Sequence, residues 1–255
     1  MLPIEFKPKN NFQLIRLGRK YDGGYLVDEK SIIDSEFLIS GGMFWDFKFE
    51  QDYINLTKNK VYCYDHQINP AHFITTWFLI LMKRIFLFNN FSRIKKAFNN
   101  MMKPFKFKKF IKNEKVNYFK LGIGLDYENI ISLEIILKKI SLDKKYFLKL
   151  DIEGDEYRVL DDIVKYSKNL NGLVVEFHNV DLHKQRIIKF INDLPLQLIY
   201  IHPNNAAPLN ADEDPTIIEM TFSENPSILN NLDFEKHELD MPNVYTKKDI
   251  ILKFQ

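Results

Sequence analysis

Asp151 ends the apolar run 146–150 (YFLKL) and opens a dense acidic turn of Glu153, Gly154, Asp155 and Glu156. Further on, Glu176 and His178 lie at the end of a second apolar run, 172–177, and His202 closes a third, 196–202, ahead of Asn204 and Asn205. Such groups can take a proton from a hydroxyl while a group is transferred to it, and imidazole titrates near neutral pH. Asp151, His178 and His202 are therefore the candidate catalytic residues. Asp151, Glu176 and His178 could equally form a mixed oxygen and nitrogen site for Mg²⁺ or Mn²⁺. A plainer role for Asp151 is to cap the helix that follows, with Glu153, Asp155 and Glu156 complementing its dipole. The company of Glu176 and His178 assigns Asp151 to chemistry and leaves Glu153, Asp155 and Glu156 to the turn and helix start. His72, His183 and His237 are expected to be structural or surface residues.

These groups can act together only if the chain brings them to one edge. Apolar runs at 37–43, 61–64, 116–125, 146–150, 172–177, 196–202 and 216–222 read as strands, and 131–140, 155–170 and 182–194 carry helical periodicity. Strands alternating with helices predict an α/β fold with a mostly parallel sheet covered on both faces, whose carboxyl edge holds the ligand crevice. The first strand ends in Gly41 and Gly42. The second ends at Asp65 and His66, about 20 residues later, where nucleoside-binding sheets place a ribose acid. A carboxylate there can accept from two hydroxyls at once. Upstream, 12–27 (FQLIRLGRKYDGGYLV) reads as a hairpin whose Asp22, Gly23 and Gly24 form the turn, and whose glycine pair allows close approach to a ligand.

The chain has 255 residues, 45% of them hydrophobic, enough for a single domain of globular composition spanning 1–255 with an insertion at 67–113. That insertion holds ten Lys or Arg and no acid, so the net +2 of the chain conceals a remainder of −8. A local basic and aromatic segment on an acidic body points to an anionic partner at that segment, not to a nucleic-acid coat. One expectation is a helical cap that holds a phosphorylated substrate; the other is an amphipathic segment lying on anionic lipid through 73–112. The apolar run 73–82 is shorter than the roughly 20 residues that cross a bilayer. The first ten residues show no signal-like pattern, which predicts a cytoplasmic protein, with any contact to the inner membrane face made peripherally. Cys63, the only cysteine, is expected to be a buried small apolar side chain.

YDGGYLV, SGGMFWDFKFE, KLDIEGDEYRVL, VVEFH and HPNN, in that order, resemble the FkbM-type family of S-adenosylmethionine-dependent methyltransferases. The resemblance covers residues 14–222 with 67–113 outside it. It implies a Rossmann-like seven-stranded sheet with an antiparallel last strand, S-adenosylmethionine as methyl donor, and methylation of an oxygen, often of a sugar in a natural product or a cell-surface, capsule-like polysaccharide. It makes Gly41 and Gly42 the turn beneath the methionine portion, Asp65 the ribose acid, and Gly122 and Ile123 neighbours of the adenine; with Asp22, Gly23 and His66 these form the expected cofactor-binding set. Joined to the basic insertion, it predicts a sugar O-methyltransferase whose acceptor is phosphorylated or nucleotide-linked. Two other functions fit parts of the pattern: a nicotinamide-dependent sugar-modifying enzyme, which would share the ribose acid, and a non-catalytic adaptor that binds membrane or an anionic partner.

Overall fold

The computed structural model describes residues 1–87, 90–125, 127–140 and 143–255. Seven strands form the main sheet: β1 (Phe37–Gly41), β2 (Lys60–Tyr64), β3 (Val116–Phe119), β4 (Tyr146–Leu150), β5 (Leu170–His178), β6 (Gln197–Pro203) and β7 (Ile217–Ser223). Their order across the sheet is β6, β7, β5, β4, β1, β2, β3. All neighbours pair in parallel except β7, which runs antiparallel to both β5 and β6. This is the Rossmann-like methyltransferase sheet that the motifs predict, and its last strand is inserted beside β5 rather than added at the edge.

Every residue of β1, β4 and β5 is buried, as parallel strands covered on both faces must be. Alternate residues feed two apolar layers. Phe37, Ile39, Leu148, Leu150, Leu173, Val175 and Phe177 join one, with α6 (Leu133–Ile140), α7 (Glu156–Lys165) and α8 (Val180–Asp193) packed on it. Leu38, Phe147 and Val174 join the other, beneath α1 (Glu29–Ile33) and α2 (Lys48–Thr57), with Cys63 fully buried among them. On this second face the same alternation carries Ser40, Lys149 and Glu176, so the layer turns from apolar to polar towards the carboxyl ends of the strands.

Several boundaries differ from the periodicity. The run 116–125 breaks after Phe119, and Gly122–Ile123 pairs separately with Ile130–Ile131. The helix expected over 155–170 ends at Lys165, and a 3-10 turn at Ser167–Asn169 leads straight into β5. The segment after β7 supplies a further strand, Ile228–Asn230, antiparallel to Asn11–Phe12. The hairpin is present as Ile15–Gly18 against Gly24–Val27.

Between β2 and β3 the insertion forms α3 (Pro70–Phe86), α4 (Phe91–Met101) and α5 (Lys103–Phe110). It is fixed to the body by aromatic contacts: Trp45 lies 4.3 Å from Phe73, and Phe47 stacks on Phe110 at 4.6 Å. Phe107 and Phe110 are buried on α5, whereas Leu81 is the buried residue of α3 and Ala97 that of α4.

Candidate active site

The chain leaves β1 for β2 and β3 on one side, and later β4 for β5 on the other, so the order reverses between β1 and β4. Ligands of open α/β sheets bind at such a point, outside the carboxyl ends of the strands. A cleft of about 370 Å³ opens there, within the roughly 300–1,000 Å³ of small-molecule sites. Of the residues singled out in the sequence, Asp22, Gly23, Gly42, Asp65, His66, Gly122, Ile123, Asp151 and Glu176 line it. Gly41, His178 and His202 do not.

The floor is built by close backbone approach. Gly42 has φ +69°, and a Cβ there would lie 1.5 Å from the Asp151 carbonyl oxygen; only glycine lets the turn after β1 pass the end of β4. Gly41 lies behind this wall, where a Cβ would meet Ile123, Leu150 and Ile152 at 3.0 to 3.2 Å. Phe44 is held at φ +44°, and its N–H donates to Asp65 Oδ2 at 2.6 Å. Gln67 N–H donates to Asp65 Oδ1 at 2.8 Å. The buried Asp65 carboxylate is thus locked in orientation at the end of β2, with one lone pair on each oxygen still to satisfy.

Across the cleft, Tyr25 donates its hydroxyl to Asp151 Oδ2 at 3.2 Å. Burial raises the Asp151 pKa, Lys149 and His178 oppose the rise, and Glu153 and Glu156 add to it. Glu176 is pushed well above the carboxylate range by burial and then by Asp151, Glu219 and Asp22; it accepts from Asn204 Nδ2 at 3.1 Å. Burial pulls the His178 pKa down, but its hydrogen bond to Glu156 and the charges of Glu156, Asp151 and Glu153 leave it raised. His178 Nδ1 donates to Glu156 Oε1 at 3.1 Å, which turns Nε2 towards Glu153 and Glu176 at 3.5 and 3.7 Å.

Among the described residues, the three groups whose ligand atoms converge are Asp151, Glu153 and His178, all within 4.8 Å of one another. This revises the set expected from the sequence, in which Glu176 held the place of Glu153. The reason is local: Glu153 sits at φ +56° and Gly154 at φ +105°, which swings the Glu153 side chain out of the turn and onto the cleft. Glu156 does serve the turn, accepting from Ile152 and Gly154 N–H groups.

His202 is corrected as a candidate base. It is buried beneath the C-terminal segment, with Asp240 Oδ1 2.8 Å from Nδ1 and Asn243 Oδ1 2.9 Å from Nε2. Burial opposes its charge, but Glu219, Asp240 and Asn243 raise its pKa to about 9, so at neutral pH it holds its proton. A group raised from 6.5 in the unfolded chain gives stability that is complete below pH 6.5 and lost as pH rises through about 9. Urea midpoints should fall across that window by the equivalent of on the order of 1 to 3 kcal/mol, and His202→Gln should flatten the slope. An equally steep slope in the variant would assign it to other groups.

The rest of the cleft comes from residues that periodicity does not mark. Asp46 pairs through Oδ2 with Arg19 Nε at 2.6 Å, and Lys103 reaches the cleft from the insertion. A second, more open depression of about 580 Å³ shares Arg19, Trp45, Asp46 and Lys103 with the cleft and adds Lys20, Lys48 and Lys106. Tyr25 stands within the YDGGYLV motif; nothing short of the hairpin's packing against β4 would reveal its bond to Asp151.

No protein-family model matches the chain, and no curated protein sequence matches it. Among solved structures it is similar to an rRNA methylase from Streptococcus thermophilus, at 13% identity and TM-score 0.41, over 77% of this chain and 94% of that one. It is also similar to precorrin-6y C5,15-methyltransferase from Geobacter metallireducens GS-15, at 12% identity and TM-score 0.40, over 76% of this chain and 85% of that one. What the site can do is read from its own residues.

Proposed function

We propose that the chain is an S-adenosylmethionine-dependent methyltransferase acting on a hydroxyl of a small anionic acceptor, a phosphorylated or nucleotide-linked sugar. The observation that carries the reading is the pairing, across one switch-point cleft, of an oriented Asp65 carboxylate with Asp151. S-adenosylmethionine, when bound, supplies an electrophilic methyl group carried on a sulfonium. The cleft suits such a donor, because seven acidic side chains line it against Arg19 and Lys103, and the ionised ones among them favour a cation. Asp65 would accept from the ribose hydroxyls, and the Gly42 turn leaves room above the floor for the donor's backbone-sized end.

Transfer to a hydroxyl releases its proton. Asp151 reaches the cleft and His178 does not, so Asp151 is assigned as the base, with a raised pKa that suits it to proton removal. His178 then stands behind it as a positioning residue. The basic depression beside the cleft would hold the acceptor's phosphate through Arg19, Lys103 and Lys106. Oxygen as the acceptor atom, and a sugar of a cell-surface polysaccharide as its source, rest on the FkbM-like motifs.

Calorimetry with S-adenosylhomocysteine should give binding that Asp65→Ala weakens by about 10- to 100-fold. Absence of binding by the wild-type chain sinks the proposal, and nicotinamide binding in its place favours the nicotinamide-dependent sugar-modifying enzyme. A mass-spectrometric screen of nucleotide sugars then names the acceptor. The convergence of Asp151, Glu153 and His178 supports a second form of the same reading, in which these three side chains would hold a divalent cation that would supply Lewis-acid stabilisation of the developing alkoxide. Turnover lost on chelation and restored by Mg²⁺ or Mn²⁺ supports that form; turnover indifferent to chelator removes it.

A further inference from the structure

We propose that the corner formed by α3 and α4 is a docking surface for an anionic lipid bilayer. On α3, Phe78, Met82, Ile85 and Phe86 recur at helical spacing along one face and are exposed, Phe86 at 82%. Leu79, at 67%, flanks them, and Phe91, at 79%, continues the surface onto the start of α4. The two helix ends are tied together, since Arg84 Nη1 donates to the Arg93 carbonyl at 2.6 Å. Large exposed apolar groups gathered this way mark an interaction surface.

Charge identifies the partner. The two helices carry Lys83, Arg84, Lys95 and Lys96 in a segment without an acid. Aromatic and aliphatic side chains that enter the acyl boundary, flanked by Lys and Arg that reach anionic headgroups, are the signature of a helix lying in the membrane plane. No helix among the described residues is long and apolar enough to cross a membrane, so the segment lies on the bilayer. A second copy of the chain fits less well, because an isologous contact would oppose two acid-free basic segments. A polyanionic strand such as RNA would engage the cations but leave the aliphatic stripe of Leu79, Met82 and Ile85 uncovered.

The test is co-sedimentation of the full chain with vesicles of phosphatidylcholine, with and without phosphatidylglycerol. Binding should require phosphatidylglycerol and weaken with salt. The double variant Phe86→Ser, Phe91→Ser and, separately, Lys95→Glu, Lys96→Glu should each weaken it on the order of tenfold. Both variants keep the wild-type melting temperature, because these side chains pack on nothing in the core. Equal binding to both vesicles, binding to neither, or tighter binding to single-stranded RNA than to the anionic vesicles would overturn the proposal. So would a dimer in light scattering that Phe86→Ser converts to monomer.

Discussion

Asp151→Asn should lower turnover by about 10²- to 10⁴-fold while leaving S-adenosylhomocysteine affinity within a few-fold of wild type. Asparagine keeps the shape of the side chain and an oxygen for the Tyr25 hydroxyl, so the loss isolates the charge and basicity of the carboxylate. Asp155→Asn is the matched comparison. Asp155 also borders the cleft, but it pairs with Arg158 at 3.2 Å at the start of α7, and its replacement should act on stability rather than on turnover. Equal and small effects of the two on turnover would remove Asp151 from the chemistry. A methyltransferase in which Asp151→Asn also abolished donor binding would assign the residue to the cofactor instead.

The second large effect is expected at Gly42. An added Cβ would sit 1.5 Å from the Asp151 carbonyl oxygen, and both partners are backbone, so no side chain can move aside. Gly42→Ala must part the ends of β1 and β4, where Asp151 N–H donates to the Gly41 carbonyl at 3.1 Å. A loss of about 3 kcal/mol or more is expected, read as a fall in Tm of about 10 °C. Gly154→Ala separates the two causes of such a loss. Gly154 also has positive φ, +105°, but a Cβ there meets nothing within 4 Å, so its cost is backbone strain alone, about 1 kcal/mol. If the two alanines cost the same, close approach is not what Gly42 provides.

These contrasts show why parts of the molecule were legible in the sequence. Strands β1, β4 and β5 are buried on both faces, so they appear as continuous apolar runs, and the residues that end them fall at the carboxyl edge by necessity. That is how Asp65, Asp151 and Glu176 could be placed in one cleft without coordinates. His202 meets the same rule at the end of β6 and shares a sheet face with Glu176 through their common neighbour Glu219, but the segment around Asp240 and Asn243 folds back over it from far along the chain and keeps it out of the cleft. Glu153 was assigned to the turn because a single left-handed residue decides where its side chain points, and no periodicity encodes one residue's φ. Asp46 and Lys103 reach the cleft from the turn after β1 and from the insertion, and Tyr25 reaches Asp151 from the hairpin; how these segments pack against the sheet is a long-range outcome.

The way the insertion joins the sheet has a consequence for how such a chain changes over generations. β2 and β3 pair in register from Val61 with Val116 to Tyr64 with Phe119, and none of the described residues of the insertion between them enters a strand of the sheet. Its length and composition can drift while that register stays fixed, since lengthening a connection adds little closure entropy. Because the same segment contributes both Lys103 to the cleft and the exposed corner of α3 and α4, the two proposals predict that one exchange of sequence would alter acceptor and bilayer binding together. On those proposals, acceptor choice and attachment to a bilayer would be inherited as a single cassette, carried by a sheet that need not change.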